Sequence, residues 1–112
     1  AIKCLQSSNY KSASFDVNTK NIKAIIEGIV LGGYKFNQYK SKPKKINLKN
    51  IYLLTQDVKK LSETFSEAII ISEATCFTRD IVNTIPNDLN PVTFAKLAKN
   101  LAKENYLTCN IL

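Results

Sequence analysis

The chain has 112 residues, of which 45% are hydrophobic and only three are glycine and three proline. This composition excludes disordered, collagen-like and linker proteins, and it predicts a buried core. The net charge of +7 is unevenly distributed. Residues 1–60 hold twelve lysines and three acidic residues, a net charge of +9, whereas residues 61–112 hold four basic and six acidic residues, a net charge of −2.

The three cysteines, Cys4, Cys76 and Cys109, are widely separated and odd in number, so they fit neither a disulfide framework nor a CxxC metal site. We interpret them as reduced, buried thiols. No apolar run approaches the roughly 20 residues that a membrane-spanning helix needs. The sequence therefore predicts a soluble, cytoplasmic protein without membrane contact.

The chain begins with helical composition at residues 1–6, which resembles the tail of a helix and stops at residues 7–9. Residues 12–17 alternate between apolar and polar side chains, which is the period of a strand. Asn18 or Thr19 can then cap a helix. A short helix, a strand and a second helix are therefore expected in this order.

The second helix carries apolar residues at spacings of three and four, so one of its faces is apolar. Gly28 and Gly32 lie inside it, where each costs about 1 kcal/mol relative to alanine. Because they are one turn apart, we expect them to let another backbone or a sheet approach closely. A phosphate-binding loop is the alternative, although the spacing matches neither GxGxxG nor GxxxxGK[ST]. The apolar face comprises Ile22, Ile25, Ile26, Ile29, Gly33 and Phe36.

A lysine-rich segment, residues 40–49, follows this helix. Such a run can attract phosphate by releasing counterions, which makes a nucleic-acid-binding module an alternative function. The simpler interpretation is a solvated loop, because a run without arginines or interleaved aromatic residues offers charge but no base readout. Its lysines are Lys40, Lys42, Lys44, Lys45 and Lys49.

The next predicted elements are a strand and a long helix. Residues 51–54 are continuously apolar, as expected of a strand buried on both faces of a parallel sheet. From Asp57, a helix of about 26 residues would extend about 40 Å. It is amphipathic at first and apolar on every side at residues 68–71, which is typical of a helix that enters a buried interface. We therefore predict a connector between two domains.

A polar turn at residues 83–89 separates the long helix from another helix. Asn90 fits the N-cap position and Pro91 the first helical position, where its missing N–H is not needed. This helix is expected to end near Asn105, and residues 106–112 alternate like a strand. The predicted buried face of the helix comprises Phe94, Leu97, Ala98 and Leu101.

The chain contains no histidine, which removes the usual general base and nearly all zinc sites. Asp80, Asn83, Asn87 and Asp88 could offer oxygen atoms to a hard cation, but the spacing is not that of a calcium loop. Turn and capping roles are therefore favoured for these four residues. Cys76 is interpreted as a core residue, because nothing near it in sequence would stabilise a thiolate.

Strands separated by helices predict an α/β fold with a mainly parallel sheet and helical crossovers. Two sequence motifs also resemble those of a known enzyme family. The sequence TRDIVNTIPNDLNP, residues 78–91, resembles the ARDLVNTPPNDLTP pattern that opens the catalytic domain of leucine aminopeptidases, the cytosol aminopeptidase family. Upstream, EGIVLGGYKFNQYK, residues 27–40, is similar to that family's EGxxLGxYxFxxYK pattern. Ile85 in place of proline is a small departure.

The resemblance implies part of a two-domain αβα protein with a long interdomain helix. Residues 1–56 would end the N-terminal domain, residues 57–83 would be the linker helix, and residues 84–112 would start the catalytic peptidase domain. The family consists of homo-hexameric enzymes that remove N-terminal residues, often leucine, from peptides with two divalent metal ions, zinc or manganese. A metal-activated water attacks the first peptide carbonyl in that reaction.

The family's metal ligands and its catalytic lysine and arginine belong to motifs that do not occur here. We therefore assign no catalytic, cofactor-binding or metal-binding residue to this chain and expect it to be inactive alone. Its expected role is structural, in linking domains and forming the oligomer, and weak nucleic-acid binding through residues 40–49 is the alternative.

Overall fold

The computed structural model describes residues 1–17 and 20–112, except for the side chain of Lys60. The chain divides into two compact units, Ala1–Thr78 and Arg79–Leu112. The described elements are α1 (Ile2–Ser7), β1 (Ser12–Asp16), α2 (Ile22–Gly33), β2 (Asn50–Leu54), α3 (Val58–Asn83) and α4 (Pro91–Glu104).

The first unit is built on a parallel pair of strands. β1 pairs with β2 in a register that places Ser12 opposite Asn50 and Asp16 opposite Leu54. The Val17 N–H donates to the Leu54 carbonyl at 2.9 Å, which extends the pairing past the end of β1. Since α2 lies between the two parallel strands in the sequence, the predicted α/β class with a helical crossover is confirmed.

The two faces of this sheet differ in burial. Phe15 and Leu53 pack against the core, whereas Tyr52 and Leu54 are more than half exposed. The prediction that the second strand is buried on both faces is therefore wrong. Its apolar run has one covered face, because the core residues from α2 and α3 pack on the side of Phe15 and Leu53.

The core of the first unit lies between the sheet, α2 and α3. Ile22 and Ile26, one turn apart on α2, are each 2% exposed, as their helical spacing predicted. Val17 and Ala68 complete the buried cluster from the end of β1 and from α3. Partly buried hydrophobic residues surround it, namely Phe15, Ile25, Leu53, Leu61 and Ile69.

α2 is shorter than the sequence pattern suggested. It ends at Gly33, because Tyr34 has extended backbone angles (φ −57°, ψ 135°), so Phe36 lies outside the helix. Its N-cap is Asn21. The predicted capping residues Asn18 and Thr19 lie outside the described residues.

The glycines of α2 lie in different surroundings. A Cβ added to Gly32 would lie 2.6 Å from Cγ2 of Ile2, whereas a Cβ added to Gly28 would meet nothing within 4 Å. A close approach therefore exists at Gly32, but it is made by a side chain of α1 and not by a backbone or a sheet as expected, and at Gly28 the expectation is wrong. Beside it, the Gln6 side chain donates to the Gly33 carbonyl at 2.9 Å. Both Gly28 and Gly32 lie within the helix, so they form no phosphate-binding loop.

An ion pair between Lys23 and Glu67 joins α2 to α3. The hydrogen bond that Lys23 donates to Glu67 raises the pKa of Lys23 above its usual value of 10.5, and the negative charges of Glu67 and Glu27 act in the same direction. A raised lysine pKa favours the folded state at neutral pH, and this contribution is lost only as the pH rises through the folded pKa. Because both side chains are exposed, solvent screens the pair.

α3 has the predicted length of 26 residues. Within the described chain the turn at residues 68–71 is covered on one side only: Ala68 is fully buried, Ile69 is half-buried, and Ile70 and Ile71 are exposed, so its entry into a buried interface stays a prediction. Only the side of this turn that faces the core is covered.

The thiols are less buried than expected. Cys4 is exposed, Cys76 and Cys109 are half-buried, and all three are free cysteines. Cys4 is exposed because α1 directs Ile2 towards α2, which leaves Cys4 on an outer face. The interpretation as buried thiols is therefore wrong.

The second unit contains the predicted turn and the predicted start of α4. The Asn90 side chain accepts hydrogen bonds from the N–H groups of Val92 (3.1 Å) and Thr93 (3.0 Å). In return, the Thr93 hydroxyl accepts from the Asn90 N–H at 2.9 Å, which completes a capping box. Pro91 is the first residue of α4. The predicted cap is therefore confirmed.

Replacing Asn90 by alanine should destabilise α4 by about 1 kcal/mol, because two N–H groups lose their acceptor. Hydrogen exchange of the α4 amides in the folded protein measures this change. Asn100→Ala is the matched control, since Asn100 is an exposed interior position of α4 where alanine favours the helix. Equal protection in both variants would contradict the proposed role of the cap.

Two predictions for the second unit are wrong. No residue of α4 is buried, and Phe94 is exposed, although it belonged to the predicted buried face. Residues 106–112 form no strand, and Tyr106 has a positive φ of 55°. The physical reason is the same in both cases. The described part of Arg79–Leu112 provides no second layer for α4 and no neighbouring strand for residues 106–112.

Candidate functional surfaces

The backbone carbonyls of Asp80 and Asp88 accept hydrogen bonds from threonines at the end of α3 and near the start of α4. The N–H and the hydroxyl of Thr84 donate to the Asp80 carbonyl at 3.0 and 2.7 Å. The Thr93 hydroxyl donates to the Asp88 carbonyl at 2.9 Å. Among the described residues, no three side chains of cysteine, aspartate, glutamate or histidine come together as a metal site would require.

The lysine-rich segment ends beside the start of the sheet. The Lys49 N–H donates to the Lys11 carbonyl at 2.7 Å, and the Asn47 side chain donates to Asn9 at 3.4 Å. Parallel pairing of β1 and β2 therefore adds Lys11 to the lysines of residues 40–49. We call this group the basic surface; it comprises Lys11, Lys40, Lys42, Lys44, Lys45 and Lys49, all of them exposed.

Negative charge is absent from the sequence around the basic surface. Residues 1–15 and 28–56 contain no aspartate or glutamate. Asp16 ends β1, and Asp57 follows β2, so both acids lie beyond the carboxyl ends of the strands. Five-residue strands separate the two ends of the sheet by about 16 Å. The start of the sheet is therefore a concentrated site of positive charge.

Two exposed tyrosines directly precede lysines of the basic surface in the sequence. Tyr39 precedes Lys40, is 44% exposed, and packs edge-to-face against Phe36 with the ring centroids 5.6 Å apart. Tyr10 precedes Lys11 and is 67% exposed. The lysine run itself has no interleaved aromatic residue, but on each of the two segments an exposed tyrosine immediately precedes a lysine in the sequence.

A second surface is apolar and lies on α3. Ile70, Ala74 and Phe77 are all exposed, and their spacing of four and three residues places them on one side of the helix. We call them the outer α3 stripe. Such a stripe on an exposed helix face is typical of a contact surface.

An apolar groove of about 490 Å³ lies between α1, α2 and β1. Gly28, Gly32, Phe15 and Ile25 are among the residues that line it. The groove contains no carboxylate and one lysine, Lys3, so its lining provides no set of metal ligands.

In the part of the chain that the structure describes, no helix combines the length and the hydrophobicity needed to cross a membrane.

No protein-family model matches the chain. Among curated proteins, it is similar to the probable cytosol aminopeptidase of Campylobacter jejuni, with 33% identity over 94% of this chain and 24% of that protein. The corresponding protein of Aquifex aeolicus is 38% identical over 86% of this chain and 19% of its own length. That of Clostridium perfringens is 35% identical over 74% of this chain and 18% of its length. The chain thus spans about a fifth of the curated relatives it matches.

Solved structures agree with these sequence matches. The bottromycin maturation enzyme BotP superposes with a TM-score of 0.79 at 25% identity, over 96% of this chain and 24% of that one. The structure of BotP in complex with Mn gives a TM-score of 0.76 at 26% identity, over 92% and 23% of the two chains. By sequence and by fold, the chain belongs to the cytosol aminopeptidase family.

Proposed function

We propose that the chain is the domain-linking part of a metal-dependent aminopeptidase that removes N-terminal amino acids from peptides. In this proposal residues 1–56 end an N-terminal domain, residues 57–83 are the linker helix, and residues 84–112 start the peptidase domain. The names of the curated relatives support the activity, and the manganese in one BotP structure supports the dependence on a metal.

The described residues do not fit a two-metal centre. Such a centre needs several carboxylates or other ligands within a few ångströms of each other, and the described residues provide no group of three. We therefore derive no step of the reaction from this chain. The proposal assigns zinc or manganese binding, and the attack on the peptide, to other parts of the parent enzyme.

One observation carries this proposal. The alignment with the Campylobacter jejuni relative includes 94% of this chain but only 24% of that protein. The matched part includes the 26 residues of α3 and the capped start of α4, which are elements of connection and packing. The proposed contribution of the chain is therefore the positioning of domains.

A chimera tests the proposal. The matching segment of the Campylobacter jejuni relative is replaced by this chain, and the release of N-terminal leucine is measured with Mn²⁺ present. We expect the chimera to retain activity, because the segment supplies packing and connection. The same chimera with Ile26→Asp should lose activity together with its folded state, since a carboxylate would enter the core. A folded chimera that binds Mn²⁺ but releases no leucine would contradict the proposal.

The outer α3 stripe gives the proposed subunit contact of a homo-hexameric parent. Ile70 is 67% exposed, so its side chain is available for burial against another subunit. Ile70→Glu in the chimera should dissociate the oligomer in a sedimentation experiment, because a charge would be buried in the contact. Ser62→Glu is the control, since Ser62 is an exposed residue of α3 outside the stripe. If the oligomer stayed intact with Ile70→Glu, the outer α3 stripe would not be part of the subunit interface.

We also propose a cytoplasmic location, which the word cytosol in the names of the relatives supports.

The basic surface supports a second candidate function, the binding of nucleic acid. The observation in its favour is the concentration of exposed lysines at one end of the sheet, within sequence that contains no acidic residue. Phosphate groups would release counterions on contact, so affinity should fall steeply with added salt. Reversing Lys42, Lys44 and Lys45 to glutamate should weaken binding at least about tenfold.

The matched control for this charge reversal changes three exposed lysines of α4 to glutamate, namely Lys96, Lys99 and Lys103. Both triple variants change the net charge by the same amount. A similar loss of binding in both would show that only total charge matters, and it would remove the basic surface as a specific site.

A further inference from the structure

We propose that a cavity between α1, α2 and the chain that leads into β2 binds the carboxyl-terminal residue of a peptide, where that residue has an aliphatic side chain. The cavity has a volume of about 280 Å³. Its lining combines apolar walls, a hydrogen-bond acceptor and a lysine, which match the three groups of such a residue. The binding does not depend on the proposed function.

The walls of the cavity are aliphatic. They come from α1, α2, the segment before β2 and β2 itself. A volume of this size is at the small end of ligand sites, which favours an occupant of about one residue. Burial of an aliphatic side chain such as that of leucine would remove apolar surface from water on both sides. The aliphatic lining residues are Ile2, Ile29, Val30, Ile46, Leu48 and Ile51.

Gln6 supplies a hydrogen-bond acceptor at this cavity. Its Nε2 donates at 2.9 Å to the carbonyl of Gly33, the last residue of α2, which has no partner within the helix. This bond fixes the orientation of the amide, since the reverse orientation would set two oxygen atoms against each other. Among the described residues, the buried Oε1 of Gln6 finds no donor. The last torsion of a glutamine is soft, so a small rotation can turn Oε1 towards an N–H group in the cavity.

Lys49 carries the one charge among the described residues that line the cavity. It is exposed, and its flexible stem lets the ammonium group reach a carboxylate at the mouth. Residues 1–15 and 28–56, which contain the whole lining, include no aspartate or glutamate. The ammonium group of a free amino acid would therefore find no carboxylate from these segments. A carboxylate with a neutral amide N–H, as in the last residue of a peptide, suits this field better.

The three contacts together orient one residue. Its carboxylate pairs with Lys49, its amide N–H donates to Oε1 of Gln6, and its side chain occupies the apolar cavity. The site would thus hold the carboxyl end of a peptide. The amino end, which the proposed activity removes, stays free to react elsewhere in the parent enzyme.

An NMR titration of the isotope-labelled chain tests the inference. The probes are N-acetyl-L-leucine, which carries all three groups, N-acetyl-L-leucinamide, which lacks the carboxylate, and isocaproate, which lacks the amide N–H. We expect N-acetyl-L-leucine to shift the side-chain amide signals of Gln6, and the other two probes to bind about 2- to 10-fold more weakly. Free leucine should also bind more weakly, because its ammonium group finds no carboxylate.

Two variants identify the contacts. Lys49→Gln should remove the preference for N-acetyl-L-leucine over N-acetyl-L-leucinamide, because the carboxylate loses its partner. Gln6→Met keeps the size of the side chain but removes the acceptor, so it should remove the preference over isocaproate. Lys44→Gln is the control, since it removes the same charge from an exposed residue outside the lining and should keep both preferences. Because Lys49 is exposed, its variant keeps the test decisive if Gln6→Met disturbs the packing of α1 on α2.

Four results would overturn the inference. The first is an equal affinity for N-acetyl-L-leucine and N-acetyl-L-leucinamide. The second is an equal effect of Lys49→Gln and Lys44→Gln, which would mean that only the total charge matters. The others are tighter binding of free leucine than of N-acetyl-L-leucine, and unchanged Gln6 signals at high probe concentration. None of these results bears on the aminopeptidase assignment, which the chimera tests.

Discussion

Replacing Ile26 by alanine is expected to lower the free energy of unfolding by about 2–5 kcal/mol. Ile26 is 2% exposed and packs with Ile22, Val17 and Ala68. It also borders a cavity of about 160 Å³ between α2, β2 and α3, so the loss of its side chain would enlarge an existing gap. Urea denaturation followed by far-UV circular dichroism measures the change.

The control is Ile70→Ala, which removes the same atoms from a residue that is 67% exposed. Its effect should stay within about 0.5 kcal/mol when the chain is measured at low concentration. Similar losses in the two variants would mean that α2 does not form the core described above. Since small domains are stable by only about 5–15 kcal/mol, the Ile26 variant should contain a visible unfolded fraction at moderate temperature.

The second large loss of stability is expected for Gly32→Ala. Alanine should favour the helix by about 1 kcal/mol, but its Cβ would lie 2.6 Å from Cγ2 of Ile2. Ile2 is buried and β-branched, so few rotamers are open to its side chain. Overpacking of this kind costs about 1–3 kcal/mol, and we expect a net loss of stability in thermal unfolding.

Gly28→Ala is the matched comparison on the same helix. Nothing lies within 4 Å of its added Cβ, so the variant should be more stable than the original chain by up to about 1 kcal/mol. The double variant Gly32→Ala with Ile2→Ala should lose less stability than the sum of the losses in the two single variants, because the clash is removed. Additive effects, or stabilisation by Gly32→Ala alone, would contradict the packing of α1 on α2.

Signals within a few residues predicted much of the fold. Asn90 and Pro91 specify the start of α4 by themselves, since a cap and a first-turn proline act on the adjacent backbone. The alternation in β1 and the spacing of Ile22 and Ile26 likewise predicted which side chains face the core. These features depend on local geometry, so one sequence suffices to predict them.

Features that depend on distant elements were not predictable. The apolar run of β2 does not indicate whether one or both faces of the strand are covered, and in the structure one face is exposed. Gly28 and Gly32 look alike in the sequence and differ only because Ile2 of α1 packs on Gly32. The predicted strand at residues 106–112 required a neighbouring strand, which the described part of the second unit does not provide.

The candidate surfaces show the same division. The lysines of residues 40–49 are evident in the sequence, but the addition of Lys11 and Tyr10 depends on the parallel pairing of β1 with β2. The exposure of Ile70 also depends on packing, since the sequence around it is apolar in every direction. The signal that could have found Tyr10 is its position immediately before a lysine at the start of a predicted strand.

The most direct test of the central claim, that the chain links domains and carries no reaction chemistry, is an assay of the purified 112-residue chain. Release of N-terminal leucine from a peptide is measured with Mn²⁺ or Zn²⁺ added, beside a blank without protein. We predict no release above the blank with either metal, because the described residues bring together no group of metal ligands. Release that requires the metal and increases in proportion to the concentration of the chain would contradict the claim.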